Sequence, residues 1–165
     1  MPINAKYQAK YEHDEFYHVL NRTSASQLMF REEENYQFFL TKFNHFLGVY
    51  LTLVAWCLIP NHFHFLVRIK SKKEIPPLPK NKSIHDIITR QFKNFFISYS
   101  MSFKIRYALS GNVFAQKYKH IRLYTTNDIQ RVILCIHRNP KHHEIGDWRT
   151  FTWSSFQELQ LAFKK

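Results

Sequence analysis

Two histidines separated by one residue, His62 and His64, directly follow a proline–asparagine pair at the end of an apolar stretch. Side chains alternate between the two faces of a β-strand, so a strand here would place both imidazoles on one face, about 7 Å apart. Neutral imidazoles at that spacing can share a divalent ion such as Zn, Mn, Fe or Ni, or Mg with water completing its shell. The alternative is a polar strand face with two solvent-exposed histidines, because the chain contains 10 histidines.

A second group of side chains alternates positive charges with aromatic rings near residue 120. Along an extended chain the cations can meet phosphates while the rings stack on unpaired bases, each stacked base contributing roughly 1–3 kcal/mol. The alternative is a sheet edge that its charges protect from further pairing. The alternating residues are Lys117, Tyr118, Lys119, His120, Arg122 and Tyr124.

The net charge of +12 is carried by the later part of the chain. Residues 1–60 hold 5 Lys/Arg and 6 Asp/Glu, whereas residues 61–165 hold 19 and 6. A one-sided positive field favours a polyanion through phosphate neutralisation and counterion release. Nucleic acid is therefore the first candidate partner, and a generally basic protein is the alternative. Only 3 glycines are present, which argues against a glycine-built phosphate loop.

Cys135 and Asn139 lie four residues apart, a spacing that puts both side chains on one face of a helix. The predicted buried face of this helix consists of Ile129, Val132, Ile133 and Ile136. The opposite stripe consists of Asp128, Arg131, Cys135, Arg138 and Asn139. Cys57 and Cys135 are both expected to be reduced thiols in apolar surroundings. Cys135 is then either a small packing residue or a group that points toward the histidines.

The elements that must position these groups follow from apolar periodicity and turn residues. Strands are predicted at residues 16–20, 50–59 and 62–69, and an extended segment at 113–124. Helices are predicted at about 31–47, at 83–109 with Ser83 as N-cap, and from an N-cap within 126–128 to about residue 139. Pro140 is expected to end that last helix. A tail with a weak helical pattern covers residues 148–163.

The resulting order, β–α–β–β–α–β–α, predicts an α+β fold in which helices pack on one side of an antiparallel sheet. A single domain over residues 1–165 is expected, with its core at about 16–156 and a basic, proline-containing loop at about 70–83. No apolar run reaches the roughly 18 residues of a membrane span. The first residues lack the apolar core of a signal peptide, so a cytoplasmic protein is expected.

Three other histidines near the predicted helix end are expected not to be metal ligands. His137 lies two positions from Cys135 and therefore off its face. His142 and His143 follow Pro140, beyond the predicted end of the helix.

These segments, in order, resemble the IS200-like transposases of the HUH, single-tyrosine class, and more closely their REP-associated relatives. Residues Cys57 to Leu66, with Pro-Asn-His-Phe-His at their centre, are similar to the HUH signature of that family. Further similar segments are Phe16–Arg22 (the first strand), Phe92–Tyr107 (the helix after the linker), Val113–Lys119 (before the catalytic helix), Ile136–Pro140 (the Tyr-Ile-His-x-Asn-Pro block) and Trp148–Phe156 (the closing stretch). The resemblance implies a ferredoxin-like, RRM-like HUH fold.

The resemblance also implies a chemistry. His62, His64 and Asn139 would hold Mg²⁺ or Mn²⁺, which polarises the scissile phosphate of single-stranded DNA. A tyrosine on the helix would attack and leave a 5′-phosphotyrosine link that can later be rejoined. The DNA partner would be a hairpin formed by an imperfect palindrome, and the protein a monomer or a homodimer. The residues implied in nucleic-acid binding are Arg22, Gln116, Lys117, Tyr118, Lys119, Arg122, Arg131 and Arg138.

The chain departs from the family at the nucleophile, because Cys135 occupies the tyrosine position. Strand transfer could be lost in a degenerate or domesticated copy, or a neighbouring tyrosine, Tyr118 or Tyr124, could take over. Cys135 could also be the nucleophile that attacks the phosphate, or it could be a deliberate replacement of the tyrosine made to trap a DNA complex. Three functions remain open: metal-dependent nicking and rejoining of DNA, non-catalytic binding of DNA hairpins, and an unrelated RNA-binding domain or metal hydrolase.

Overall fold

The computed structural model describes residues 7–24, 27–115 and 117–164, and within them four strands and four helices. Their bounds are β1 Phe16–Arg22, α1 Glu33–Leu47, β2 Leu51–Ile59, β3 His62–Ile69, α2 Ile84–Tyr107, β4 Lys119–Leu123, α3 Thr126–His142 and α4 Phe156–Phe163. The predicted order is confirmed, with α4 as one further helix in the tail.

All strand pairs in the sheet are antiparallel, and the strand order is β2-β3-β1-β4. The two histidines of interest therefore lie on a central strand. The register of β1 against β3 sets Arg22 opposite His62 and Leu20 opposite His64. A central strand paired on both sides holds its side chains rigidly, which suits a site that must position a ligand.

Helices α1 and α2 cover one face of the sheet through a dense aromatic core. Phe39 of α1 lies 5.1 Å, ring to ring, from Phe63, and Phe43 lies 4.8 Å from Phe65. Both strand residues are fully buried. Aromatic pairs at these spacings add stability beyond the area that they bury.

Helix α3 lies on the opposite face, over β2 and β3, so the expectation of helices on only one side is wrong. Its apolar side packs Ile136 against a smaller cluster that includes Cys57, Ile59 and Leu66. The sheet contributes apolar side chains to both faces, which the almost unbroken apolar run of β2 signals. The β1 and β4 half of this second face is left only partly covered.

Helix α3 begins at Thr126, with Thr125 as the N-cap, and runs through Pro140, so the predicted end at residue 139 is wrong. Proline donates no hydrogen bond to the preceding turn and costs about 3 kcal/mol in a helix interior. Here it falls in the last turn, where the His143 N–H still donates to the Asn139 carbonyl at 3.1 Å. Pro140 and Asn139 are both buried, which offsets the loss.

The remaining differences concern element ends. β1 extends through Arg22 rather than stopping at residue 20, and β4 covers Lys119–Leu123 rather than the whole of 113–124. Ser83 caps α2 as predicted, accepting the Asp86 N–H. The tail covers the free edge of β2, because the Leu58 N–H donates to the Trp153 carbonyl at 2.8 Å. None of the described helices is long and apolar enough to cross a membrane.

Candidate metal and nucleic-acid site

The alternation along β3 separates the two histidines from the core. Phe63 and Phe65 point into the aromatic face, and His62 and His64 point toward α3, as the strand pattern predicted. The two imidazole rings lie 5.2 Å apart, centroid to centroid.

Asn139 reaches the histidines from α3. It is buried, and its Oδ1 lies 3.4 Å from His62 Nε2. The apolar side of α3 packs on β2 and β3. This packing brings the Asn139 amide, on the adjacent side of the helix, next to His62 at the start of β3. The structure therefore brings together His62, His64 and Asn139, the three residues that the resemblance implied as ligands.

The hydrogen bonds of His62 indicate where its lone pair lies. Its Nδ1 is 2.8 Å from Asn61 Oδ1 and its Nε2 is 3.4 Å from Asn139 Oδ1, and a neutral ring has only one N–H to donate. The shorter contact is the stronger hydrogen bond, so we infer that Nδ1 carries the proton. In the neutral ring Nε2 is then an acceptor, and it faces Asn139 Oδ1, a second acceptor. Two acceptors about 3.4 Å apart fit two neighbouring ligands of one cation at bond lengths of about 2.1 Å.

The histidines of this cluster are held neutral, which is the state that binds a metal. Burial, followed by the nearby His143, lowers the pKa of His62 to about 4. Burial and the adjoining His18 hold the pKa of His64 well below its usual range. Burial alone lowers the pKa of His18 to about 4.

Two further histidines lie beside the predicted pair: His18, which the sequence did not single out, and His143, which was expected not to be a ligand. His18 Nε2 is 2.9 Å from His64 Nδ1, and the His143 ring is 4.4 Å from the His62 ring. The signal for His143 was its position four residues after Asn139, which counts only if the helix continues through Pro140. Within residues 7–24, 27–115 and 117–164, however, no three His, Cys, Asp or Glu side chains are arranged as a metal site. The candidate centre is therefore taken as the predicted set of two imidazoles and one amide.

His137 lies away from this centre, as expected. It is buried, and its Nε2 is 3.0 Å from the Ser155 hydroxyl, which ties α3 to the tail. His142, which was also expected not to be a ligand, is exposed at the end of α3.

A basic cleft of about 240 Å³ opens beside His62. It is lined by Leu20, Asn21, Arg22, Asn61, His62, Lys117, Lys119 and His143. Three of the predicted nucleic-acid residues, Arg22, Lys117 and Lys119, therefore line the same cleft. A larger cleft of about 640 Å³ lies between β4 and α3, where Arg131 and the exposed Tyr124 line it.

Cys135 is exposed, so the expectation of apolar surroundings holds for Cys57 alone. Burial raises the pKa of the Cys57 thiol to about 12. Cys135 lies one helical turn from Arg131 on one side and from Asn139 on the other. Because it is exposed, Cys135 is not a packing residue.

Other predicted binding residues are placed differently. Tyr118 is buried, its hydroxyl accepts a hydrogen bond from the Tyr11 hydroxyl at 3.3 Å, and its ring cannot stack on a base. Arg122 is held by ion pairs to Glu12 and Glu15 at 2.8 and 2.9 Å. Arg138 is exposed and lies over the Trp148 ring, 5.7 Å away. Gln116 lies outside the described residues.

Comparison with known proteins places the fold. No family model matches the chain, and no curated protein matches it. A solved REP-associated tyrosine transposase bound to a REP hairpin is similar, with a TM-score of 0.63 and 15% identity, over 91% of this chain and 81% of that one. A structure from Deinococcus radiodurans, provisionally described as a transposase, gives a TM-score of 0.43 and 18% identity, over 73% of this chain and 88% of that one. The first similarity confirms the α+β fold that the sequence predicted.

Proposed function

We propose that this protein binds single-stranded DNA hairpins and holds Mg²⁺ or Mn²⁺ between His62, His64 and Asn139. The reaction that this arrangement serves is the nicking and rejoining of DNA strands, as in transposition. The protein is impaired in that reaction because Cys135 stands at the nucleophile position. The observation that carries the proposal is the approach of two acceptors, His62 Nε2 and Asn139 Oδ1, to 3.4 Å beside a basic cleft.

The donor set fits the proposed cation. Two neutral imidazoles and an amide oxygen are ligands that Mn²⁺ accepts readily, and Mg²⁺ accepts them with water completing its shell. When bound, the ion would supply Lewis-acid polarisation of a phosphate oxygen. The chain itself contributes Arg22, Lys117 and Lys119, whose charges hold a phosphate group against the cleft.

Support for a hairpin partner comes from charge and from the similar fold. The net charge of +12 lies mainly after residue 60, and residues of this part of the chain line both clefts. The similar transposase was solved with a REP hairpin bound. Positive clefts beside an exposed aromatic ring suit a strand whose backbone is held by cations and whose unpaired bases stack.

The attacking group is where this chain departs from a strand-transfer enzyme. A tyrosine oxygen at position 135 would form a bond to phosphorus, while the P–O bond to the 3′ oxygen breaks and that oxygen takes up a proton. The thiol of Cys135 offers no phenolate, so we expect the hairpin to be bound and left intact. Tyr118 does not replace it, because its hydroxyl meets Tyr11 inside the core.

The test incubates the protein with Mn²⁺ and hairpin oligonucleotides taken from the flanks of its own gene. We expect specific binding without a denaturant-resistant adduct, and gain of the adduct in Cys135→Tyr. Cys135→Phe is the matched control, because it adds the ring without the hydroxyl and should form none. Failure to prefer hairpins over duplex DNA or over RNA would contradict the proposed partner. An adduct formed by the unchanged protein would contradict the proposed impairment.

A further inference from the structure

The two histidines of the candidate centre share a feature at their Nδ1 atoms. Each has its Nδ1 engaged by a neighbouring side chain: His62 by Asn61 Oδ1 at 2.8 Å, and His64 by His18 Nε2 at 2.9 Å. The Asn61 contact lies within the predicted motif. His18 comes from a different strand, β1, and no motif of the sequence analysis singled it out as a site residue.

The position of His18 follows from the sheet register. Leu20 is directly opposite His64, so His18 is its diagonal neighbour on the same face. The two rings are stacked, with centroids 5.2 Å apart and planes 27° apart. The contact is therefore built by two paired strands and does not depend on a loop.

The direction of the hydrogen bond decides what His64 can do. A neutral imidazole has one N–H and one lone pair. If Nδ1–H of His64 donates to His18 Nε2, the lone pair of His64 lies on Nε2 and is available to a cation. In the opposite arrangement Nε2 carries the proton, and an N–H cannot bind a metal.

We propose that His18 is a positioning residue that accepts the Nδ1–H of His64 and holds that ring in the tautomer and orientation a divalent cation requires. The role in metal binding rests on the proposed function, whereas the hydrogen bond between His18 and His64 does not. A leucine at this position could fill the space without fixing the tautomer. Neighbours of this kind typically change metal affinity by about 10–100-fold.

The test uses the full chain with two substitutions, His18→Leu and His18→Gln. Gln can still accept the Nδ1–H through its side-chain oxygen, and Leu cannot. The control is His137→Leu, which removes another buried histidine that bonds Ser155 instead. Mn²⁺ affinity is measured by titration calorimetry, the His64 tautomer by ¹⁵N NMR of the metal-free ring, and folding by the thermal midpoint.

We expect Mn²⁺ affinity to fall at least about tenfold in His18→Leu. We expect it to stay close to wild type in His18→Gln and in His137→Leu. The metal-free ring of His64 should carry its proton on Nδ1 in the wild type and lose that preference in His18→Leu. An unchanged Mn²⁺ affinity in a folded His18→Leu, or a His64 proton on Nε2 in the wild type, would overturn the proposal.

Failure of the proposed function gives a different result. A wild-type protein that binds no Mn²⁺ would contradict the metal centre itself. The NMR measurement then decides the role of His18 alone, because loss of the Nδ1–H tautomer in His18→Leu supports it and retention overturns it.

Discussion

The two faces of the sheet are built for different purposes, although they share the same strands. The face under α1 and α2 is closed by rings, with Phe39, Phe43, Phe63 and Phe65 all buried. The face under α3 is closed mainly over β2 and β3, and basic clefts open beside the helix. Residues one position apart on β3 therefore lie either in the closed aromatic core or on the partly open face.

This difference teaches how a small protein can position a site rigidly. An aromatic core on one face fixes the strands, and the fixed strands then set the spacing of the side chains on the other face. Burying histidines there is costly, because the charged form of each is excluded, and the molecule keeps them neutral. Stability and function should consequently respond to different substitutions along a single strand.

The largest effect is expected from Phe65→Ala. Phe65 is fully buried, with its ring 4.8 Å from that of Phe43, and such truncations cost about 3–5 kcal/mol. Urea unfolding should show this loss in the free energy of unfolding. Lys72→Ala in the exposed loop is the control and should stay within about 0.5 kcal/mol. A loss below about 1 kcal/mol at Phe65 would show that the aromatic face does not carry the stability.

Acid should destabilise the fold, and a substitution of His120 on the aromatic face tests this expectation. Burial lowers the pKa of His120 to about 4, and its Nδ1 has no hydrogen-bond partner within the described residues. Its ordinary pKa is 6.5, so the unfolded chain binds the proton first as the pH falls. The stabilisation is complete above pH 6.5 and is lost toward pH 4, by at most about 1.4 kcal/mol per pH unit.

The matched substitution for the acid effect is His120→Phe, which keeps a ring against Tyr11 and Tyr118. Unfolding free energies measured between pH 7 and pH 4.5 should fall less steeply in this variant. An identical slope in both proteins would show that His120 takes no part in the acid response.

Sequence reasoning succeeded where local periodicity decides the structure. The alternation of β3 placed His62 and His64 opposite Phe63 and Phe65, and Ser83 marked the start of α2. The four-residue spacing placed Asn139 on the stripe beside Cys135. The α+β order followed from the same local patterns.

The missed features all depend on long-range geometry. His18 meets His64 only through the register of two strands 46 residues apart in sequence. His143 contacts His62 because α3 continues through Pro140. The helix continues because its last turn is buried. Tyr118 matches the charged and aromatic alternation, but it precedes β4 and its ring packs against Phe92 in the aromatic core. None of these three facts can be inferred from nearest neighbours in the chain.

His62→Ala should separate binding from stability on the open face. Loss of one imidazole is expected to weaken Mn²⁺ binding at least about tenfold, because substitution of a residue that only supports a metal ligand already lowers metal affinity by that factor. Because His62 is only half-buried, the free energy of unfolding should change by less than about 1 kcal/mol. Calorimetric titration and urea unfolding of the same sample measure both quantities. Equal losses in both would mean that His62 acts through folding.

The smallest effect is expected at the cations of the open face. Lys119 lines the cleft beside His62, whereas Arg138 lies over the Trp148 ring and does not line that cleft. Removing one phosphate contact should weaken hairpin binding modestly and lower the salt dependence by about one unit of slope. Fluorescence anisotropy of a labelled hairpin across salt concentrations should therefore show a shallower slope for Lys119→Ala and an unchanged slope for Arg138→Ala. The reverse result would place the DNA against the tail and move the binding surface away from the candidate metal centre.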